Sequence, residues 1–447
     1  MLTLGTRGDV QPFVALALEL EGVGHEAALA APEMFGAFVT GNGVTFAALD
    51  DGPMRLVGTS GAREAMEGGV RARVALARRL PKLFGALFED AWAVASEGAG
   101  AGADMVVHNG QVLAGQHVAE KLGVPAVLAS PIPMYVPTRE FPWPGQSLPA
   151  GLPAAVNRAT YLGIKAASLA FRRAVDAWRE RTLGLPRRRG RHDPLLRPDG
   201  GPAPILHAFS PRVVPPPSDW PPTVTTAGYW FLPPETGAAT AVATGDAAGA
   251  NAQTEADVGL LPSGLADFLK AGEPPVFVGF GSMAGRNPER TAGAVAEAVR
   301  QAGVRAVLAT GWGGLDASGL PEEIFVVDEV PYERPFPRVA VVVHHGGAGT
   351  TGTAVASGRP QVVCPFVADQ PFWARRMHDL GVAPTPIPHR QLTVEGLAWA
   401  LRRAVDKPQL QARAEDLGRL VRAERGAAVA VDALERIRAH APVRAAT

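Results

Sequence analysis

The chain has 447 residues, and its 43 Lys and Arg balance 43 Asp and Glu, so no basic field exists to hold nucleic acid. Apolar residues make up 47% and charged residues only 19%, which excludes disorder and favours large buried cores. At this length two domains of about 200 residues each are expected.

The opening Met1-Leu2-Thr3-Leu4 reads as the tail of a strand, with no basic-then-apolar leader. This strand is short by a few residues, so a start further upstream is expected. Gly5-Thr6-Arg7-Gly8-Asp9 follows it, and a helix is predicted from about Val10 to Gly22, where Phe13, Leu16, Ala17 and Leu20 recur at helical spacing. Asp9 stands at the end of the first strand, where ligands gather. It either caps the helix or takes a proton as a general base. Glu26–Ala31, Asp104–His108 and Val124–Ser130 read as further strands. Strands separated by helices imply a parallel sheet covered on both faces. Between Arg63 and Leu87 the pattern is helical and Arg-rich, as in an insertion beside a cleft. Residues 233–262 are small and polar-leaning, too poor in large apolar side chains to pack a core, and read as a linker or loop.

A second alternating series follows. Pro275–Val278 is a strand, and Asn287-Pro288 supplies an N-cap and a first-turn proline for the next helix. Arg305–Ala309, Glu323–Val327, Val339–His344 and Gln361–Phe366 are strands, and Leu392 to about Ile437 is helical. The lone cysteine, Cys364, lies in the apolar run 361–366 and reads as core; it excludes an internal disulfide and suits a reducing cytoplasm. No apolar run reaches the roughly 18 residues of a membrane span. Two parallel-sheet domains in tandem would each bind ligand at the C-terminal ends of their strands and face each other across a cleft.

The most informative segment is His344-His345-Gly346-Gly347-Ala348-Gly349-Thr350-Thr351, which follows a strand and opens a helix. Small residues let backbone N–H groups approach an anion, and the helix start adds partial positive charge. Thr350 and a neighbouring histidine could donate further bonds. The plainer alternative is a glycine turn for tight helix–strand packing. Gly279-Phe280-Gly281-Ser282-Met283 is a second such turn, where Ser282 could hold the other side of a diphosphate. Both turns match a dinucleotide fingerprint. The first lacks an acid at the end of its next strand; the second has Asp369 near that place, which keeps a dehydrogenase reading open, but several strands before it, which lowers that reading. Asp369-Gln370-Pro371 lies between a strand and a helix, as a cap or as a grip on sugar hydroxyls. Trp312, among glycines at a strand tip, could stack on a flat base.

Together these segments resemble the family-1 nucleotide-sugar glycosyltransferases of the two-Rossmann, GT-B type. His344–Thr351 followed by Pro365 and Asp369-Gln370 is similar to that family's donor signature. Gly5–Pro12, Pro211–Trp220 with Gly228–Phe231, Thr310–Gly314 and Asp369–Trp373 resemble its sterol 3β-glucosyltransferase and antibiotic glycosyltransferase branch. The resemblance runs from Leu2 to about Ala404. It implies an α/β GT-B fold with an acceptor domain over 1–232, a linker over 233–262 and a donor domain over 263–424. The C-terminal helix, about 425–447, would pack back on the first domain.

The resemblance also implies roles. His345, Gly347, Gly349 and Thr350 match diphosphate contacts, with Ser282 on the facing loop. Trp312 and the backbone of Val330 match the wall of the base site, and Asp369 and Gln370 match hexose contacts. Asp9 matches a general base, and Thr6, Arg7, Met134, Tyr135 and Arg139 fall where an acceptor would sit. The chain departs from the family pattern at Thr353, where plant members carry a ribose-binding glutamate, and at Tyr332, where sterol-type relatives carry histidine. Met134-Tyr135-Val136 departs as well, although Thr138–Pro142 is similar. The implied reaction is inverting transfer of a hexose, glucose first, from a UDP- or dTDP-sugar to a hydroxyl of a lipophilic acceptor. It needs no metal or other cofactor. The partners are the nucleotide sugar and a sterol, polyketide or related acceptor, with no nucleic acid. A cytoplasmic location is expected, membrane contact being at most peripheral. An epimerase or hydrolase on the same architecture, or an inactive nucleotide-binding partner protein, are the competing readings.

Overall fold

A computed structural model describes residues 1–52, 54, 84–149, 151–188, 192–233, 261–262, 264–280, 288–309, 320–328 and 330–441. Contacts divide the chain into two units. The first takes Met1–Pro211, Pro215–Leu232 and Glu424–Thr447, and the second takes Arg212–Val214 and Pro233–Ala423.

In the first unit helix α1 (Arg7–Gly22) precedes strands β1 (Ala28–Pro32), β2 (Thr45–Leu49), β3 (Val106–Asn109), β4 (Ala126–Ser130), β5 (Ile205–His207) and β6 (Val224–Thr226). All pair in parallel, as a β2-β1 ladder and a β3-β4-β5-β6 ladder. The opening segment joins the two. Leu2 bridges Ala30 on one side and His108 on the other. Its N–H donates to Val107 O at 2.8 Å, and the Thr3 N–H donates to Ala30 O at 2.9 Å. The expected first strand is therefore reduced to a bridge centred on Leu2. Strands added after it go first to one side and then, from β3, to the other. This reversal is a topological switch point, where loops leave the strand ends in opposite directions and open a crevice.

Helix α1 begins at Arg7 and not at Val10, because the Thr6 N–H donates to the Asp9 carboxylate at 2.8 Å and closes a capping box. Its buried side is Val10, Phe13, Val14, Leu16 and Ala17. That side shares a core with Trp230 and with Ala430, Val431, Ala433 and Leu434 of the C-terminal helix Gly426–Ala439. Of the Arg-rich stretch expected to be helical, only its end is described; residues 84–96 are helical. Residues 234–260 of the expected linker lie outside the described residues.

The second unit holds β7 (Val276–Gly279), β8 (Ala306–Ala309), β9 (Ile324–Val327), β10 (Val341–His344) and β11 (Gln361–Val363). The order is β11-β10-β7-β8-β9, all parallel, so its switch point lies between β7 and β10. Every residue of β7, β8 and β10 is buried, as a sheet covered on both faces requires. Cys364 is fully buried and its thiol is pushed up to about 12 by burial, which makes it inert. The long C-terminal helical pattern is three helices: Val394–Asp406, Pro408–Arg422 and Gly426–Ala439. Pro408 forces Lys407 into an extended conformation, and Arg425 takes a left-handed one at φ 47°.

Candidate active site

At the switch point of the first unit, Asn109 pins the strand ends. Its Nδ2 donates to Thr3 Oγ1 at 3.0 Å and to Leu4 O at 2.6 Å, while its Oδ1 accepts from the N–H groups of Gln111 and Val112. Asp9 sits in the first turn of α1 beside this knot. Its Oδ2 accepts from the Thr6 N–H at 2.8 Å and from Thr6 Oγ1 at 3.2 Å, and its Oδ1 accepts from Gln111 Nε2 at 3.2 Å. The helix start favours a negative charge at this place, and the three bonds aim the carboxylate. The capping and catalytic readings of Asp9 are thus compatible, since one geometry serves both. Tyr135 packs its ring against Gly110, and burial first, then the Asp9 charge, pushes its phenol upward. It stays a protonated hydrogen-bond donor.

The other sequence-predicted acceptor residues are spread more widely. Thr6 is exposed and bonded to Asp9. Arg7 lies over the Phe38 ring at 4.7 Å and donates to Gln11 at 3.1 Å, so its guanidinium follows the flank of α1. Met134 is half-buried, one residue before Tyr135. Arg139 has an exposed side chain, and its backbone is fixed by Asp219 and Asn157.

In the second unit the two chemistry-bearing loops meet. The Gly346 N–H donates to His344 Nδ1 at 3.0 Å, which leaves the His344 proton on Nε2, bonded to Gln361 Oε1 at 2.8 Å. Burial lowers the His344 pKa to about 3, so this ring is neutral and structural. His345 is the histidine left to meet a ligand. It is half-buried, burial lowers its pKa to about 4, and its Nδ1 is buried without a hydrogen-bond partner. The two histidines therefore differ, one locking the turn and one keeping an unpartnered ring nitrogen, and the tight-packing reading of the turn is compatible with a ligand role.

Gly346 has φ 89°, a conformation that excludes other residues, and a Cβ there would lie 2.9 Å from Val363 Cγ1 and 3.1 Å from Gln370 O. Gly347 caps helix α2 (Ala348–Ala356), and a Cβ on it would lie 2.5 Å from His345 Nε2. The first intrahelical bond runs from the Thr351 N–H to Gly347 O, so the amides of Ala348, Gly349 and Thr350 have no partner within the helix. Such a start is able to take an anion, and here Gly349 is exposed and Thr350 half-buried beside it.

Asp369 precedes helix α3 (Gln370–Asp379), next to Ala368 at φ 57°. A non-glycine residue held there signals strain kept by its surroundings. Burial raises the Asp369 pKa to about 6, against the bond that Trp373 Nε1 donates to Oδ2 at 2.8 Å. Gln370 is buried, and its Oε1 accepts from the N–H groups of Phe366 and Val367 at 2.8 and 3.2 Å. That arrangement closes the loop through the carboxamide oxygen. Val330 is buried just past β9, packed with Phe277 and Phe336. Tyr332 stacks on Phe336 at 4.9 Å, and Thr353 donates to Gly349 O at 3.2 Å. Ser282 and Trp312 lie outside the described residues. Sequence reasoning missed Gln111 and Trp373; Trp373 was readable as the residue one helical turn after Asp369.

Comparison with known proteins adds the following. Residues 1–139 match the Glycosyltransferase family 28 N-terminal domain. Residues 306–435 match the Erythromycin biosynthesis protein CIII-like, C-terminal domain. A sterol 3-beta-glucosyltransferase of Arabidopsis thaliana is 32% identical over 98% of this chain and 67% of the plant protein. One from Leptosphaeria maculans is 32% identical over 97% of this chain, which spans 28% of that fungal protein. Among solved structures, the glycotransferase of kitacinnamycin superposes with a TM-score of 0.70 at 20% identity, covering 99% of this chain and 98% of its own. At that identity the match concerns the fold, which is GT-B.

Proposed function

Since the chain belongs to the family-1 GT-B nucleotide-sugar glycosyltransferases, we propose that it transfers a hexose, glucose first, from a UDP- or dTDP-sugar to a hydroxyl of a lipophilic acceptor such as a sterol or polyketide, with inversion. The acceptor oxygen attacks the anomeric carbon and its proton passes to Asp9. The bond from that carbon to the diphosphate breaks, and the leaving charge falls on the amides of Ala348, Gly349 and Thr350 and on His345. Asp369 and the Gln370 carboxamide nitrogen hold hexose hydroxyls. Val330, with Ser282 and Trp312 carried over from the resemblance, completes the donor site. No metal ion or other cofactor enters the scheme.

One observation carries the reading. The glycine-rich start of α2 and the Asp369-Gln370 loop touch at Gly346, past the C-terminal ends of the neighbouring strands β10 and β11. That contact supports reading the helix start and the Asp369-Gln370 loop as two parts of one donor site.

The test pairs a donor panel with sterol, macrolide and aromatic polyketide acceptors, read by mass spectrometry. Sugar transfer is expected, and Asp9→Asn should lower kcat by about 10²–10⁴ while leaving the nucleotide Kd nearly unchanged. Donor consumed with no acceptor product would make the protein a hydrolase. Wild-type turnover in Asp9→Asn would take the base role from Asp9.

A further inference from the structure

Helices Ala154–Thr160 and Leu162–Trp178 carry three of the eight large apolar side chains exposed among the described residues. These are Val156 at 43%, Leu162 at 64% and Leu169 at 58%. Leu162 and Leu169 are two turns apart and share one face of the longer helix. Lys165 and Ala166 lie between them and Arg172 and Arg173 follow, all four exposed. The opposite face is buried: Phe171, Val175 and Trp178 pack with Leu87 and Phe88. The longer helix is thus apolar on two sides, and among the described residues only one of them packs against the protein.

Charge says what covers the other. Over residues 154–178 the basic Arg158, Lys165, Arg172 and Arg173 face a single acid, Asp176, in a chain whose net charge is zero. Arg158 reaches Asp219 at 3.3 Å and Lys165 reaches Asp193 at 3.0 Å. Arg172 and Arg173 have no acidic partner among the described residues.

We propose that this face docks on the surface of an anionic lipid bilayer. Leu162 and Leu169 enter the boundary between headgroups and acyl chains, and Arg172 and Arg173 meet lipid phosphates. A second copy of the chain fits less well, because a two-fold contact through this face would set the same arginines against each other. The contact lies on the membrane and does not span it; no helix among the described residues is long and apolar enough to cross. The inference deepens the lipophilic-acceptor reading and rests on it only for its purpose, since an acceptor dissolved in a bilayer is reached from its surface.

The intact chain is centrifuged with phosphatidylcholine vesicles and with vesicles that also contain phosphatidylserine. It should pellet with the anionic vesicles, and less so as salt rises. Leu162→Ser/Leu169→Ser and Arg172→Glu/Arg173→Glu should each cut the partition coefficient by about tenfold or more. Both should keep the parent's circular dichroism and its transfer to a detergent-dispersed acceptor. A parent that stays in solution with anionic vesicles, or variants that pellet like the parent, would overturn the proposal. So would a dimer in sedimentation velocity that Leu162→Ser/Leu169→Ser dissolves. Vesicle binding without any sugar transfer would leave docking standing and remove the acceptor reading.

Discussion

Asp9 and Asp369 each stand at the start of a helix that follows a parallel strand, yet their surroundings differ. Asp9 accepts from Thr6 and Gln111 through both of its carboxylate oxygens. Asp369 accepts from Trp373, but burial outweighs that bond and holds its pKa at about 6 against an ordinary 3.8. A carboxyl raised in the folded state adds stability that is complete below pH 4 and lost as pH rises through about 6. Asp369→Asn should therefore be more stable than the parent above pH 6, by on the order of 1–2 kcal/mol once screening of a part-exposed group is allowed for. The gap should close below pH 4. Urea denaturation at pH 4 and pH 7.5 measures it, and a gap of equal size at both would show that burial does not set this carboxyl's charge.

In the proposed reading donor binding turns on the glycine-rich start of α2, where the backbone at Gly346 strains any side chain. Gly346→Ala would need φ near 89° and would press on Val363 and the Gln370 backbone. We expect it to cost about 1–3 kcal/mol of stability. It should also weaken UDP or dTDP binding, because both ligand loops move. Calorimetry with each nucleotide checks this; an unchanged Kd would separate the turn from the donor site. The motif was legible in the sequence because its requirements are local: glycine where φ is positive, small residues at a helix start, and a strand before them. The division of labour between His344 and His345 was less so, although consecutive strand residues point to opposite faces. The bond from Gln111 to Asp9 spans 102 residues and depends on which strands become neighbours, so no local pattern announces it. The start of α1 was misplaced because Asp9 reads as the cap of a helix beginning at Val10, while Thr6 and Asp9 together spell a capping box.

At the scale of the whole molecule, the first unit is assembled from both ends of the chain. The C-terminal helix Gly426–Ala439 buries Ala430, Val431, Ala433 and Leu434 in the core that holds Val10, Phe13 and Leu16 of α1. Glu424 accepts from Ser210 at 2.6 Å, and Gly426 lies so close to Tyr229 that a Cβ on it would be 2.4 Å from that residue's carbonyl oxygen. Residues 1–232 thus leave the ribosome with one side of α1 uncovered, and the cover is made only after the second unit. The second unit, with its five-stranded sheet, has no such debt. A chain ending at Ala423 should lose the cooperative unfolding of the first unit and keep that of the second. Leu434→Ala, a milder lesion in the same core, should cost about 2–4 kcal/mol. Calorimetry would show the first transition vanish in the truncated chain, and a peptide of residues 424–441 added in trans should restore part of it. If the truncated chain unfolds with both transitions intact, the C-terminal helix is a passenger on the first unit and the strand core alone sustains it.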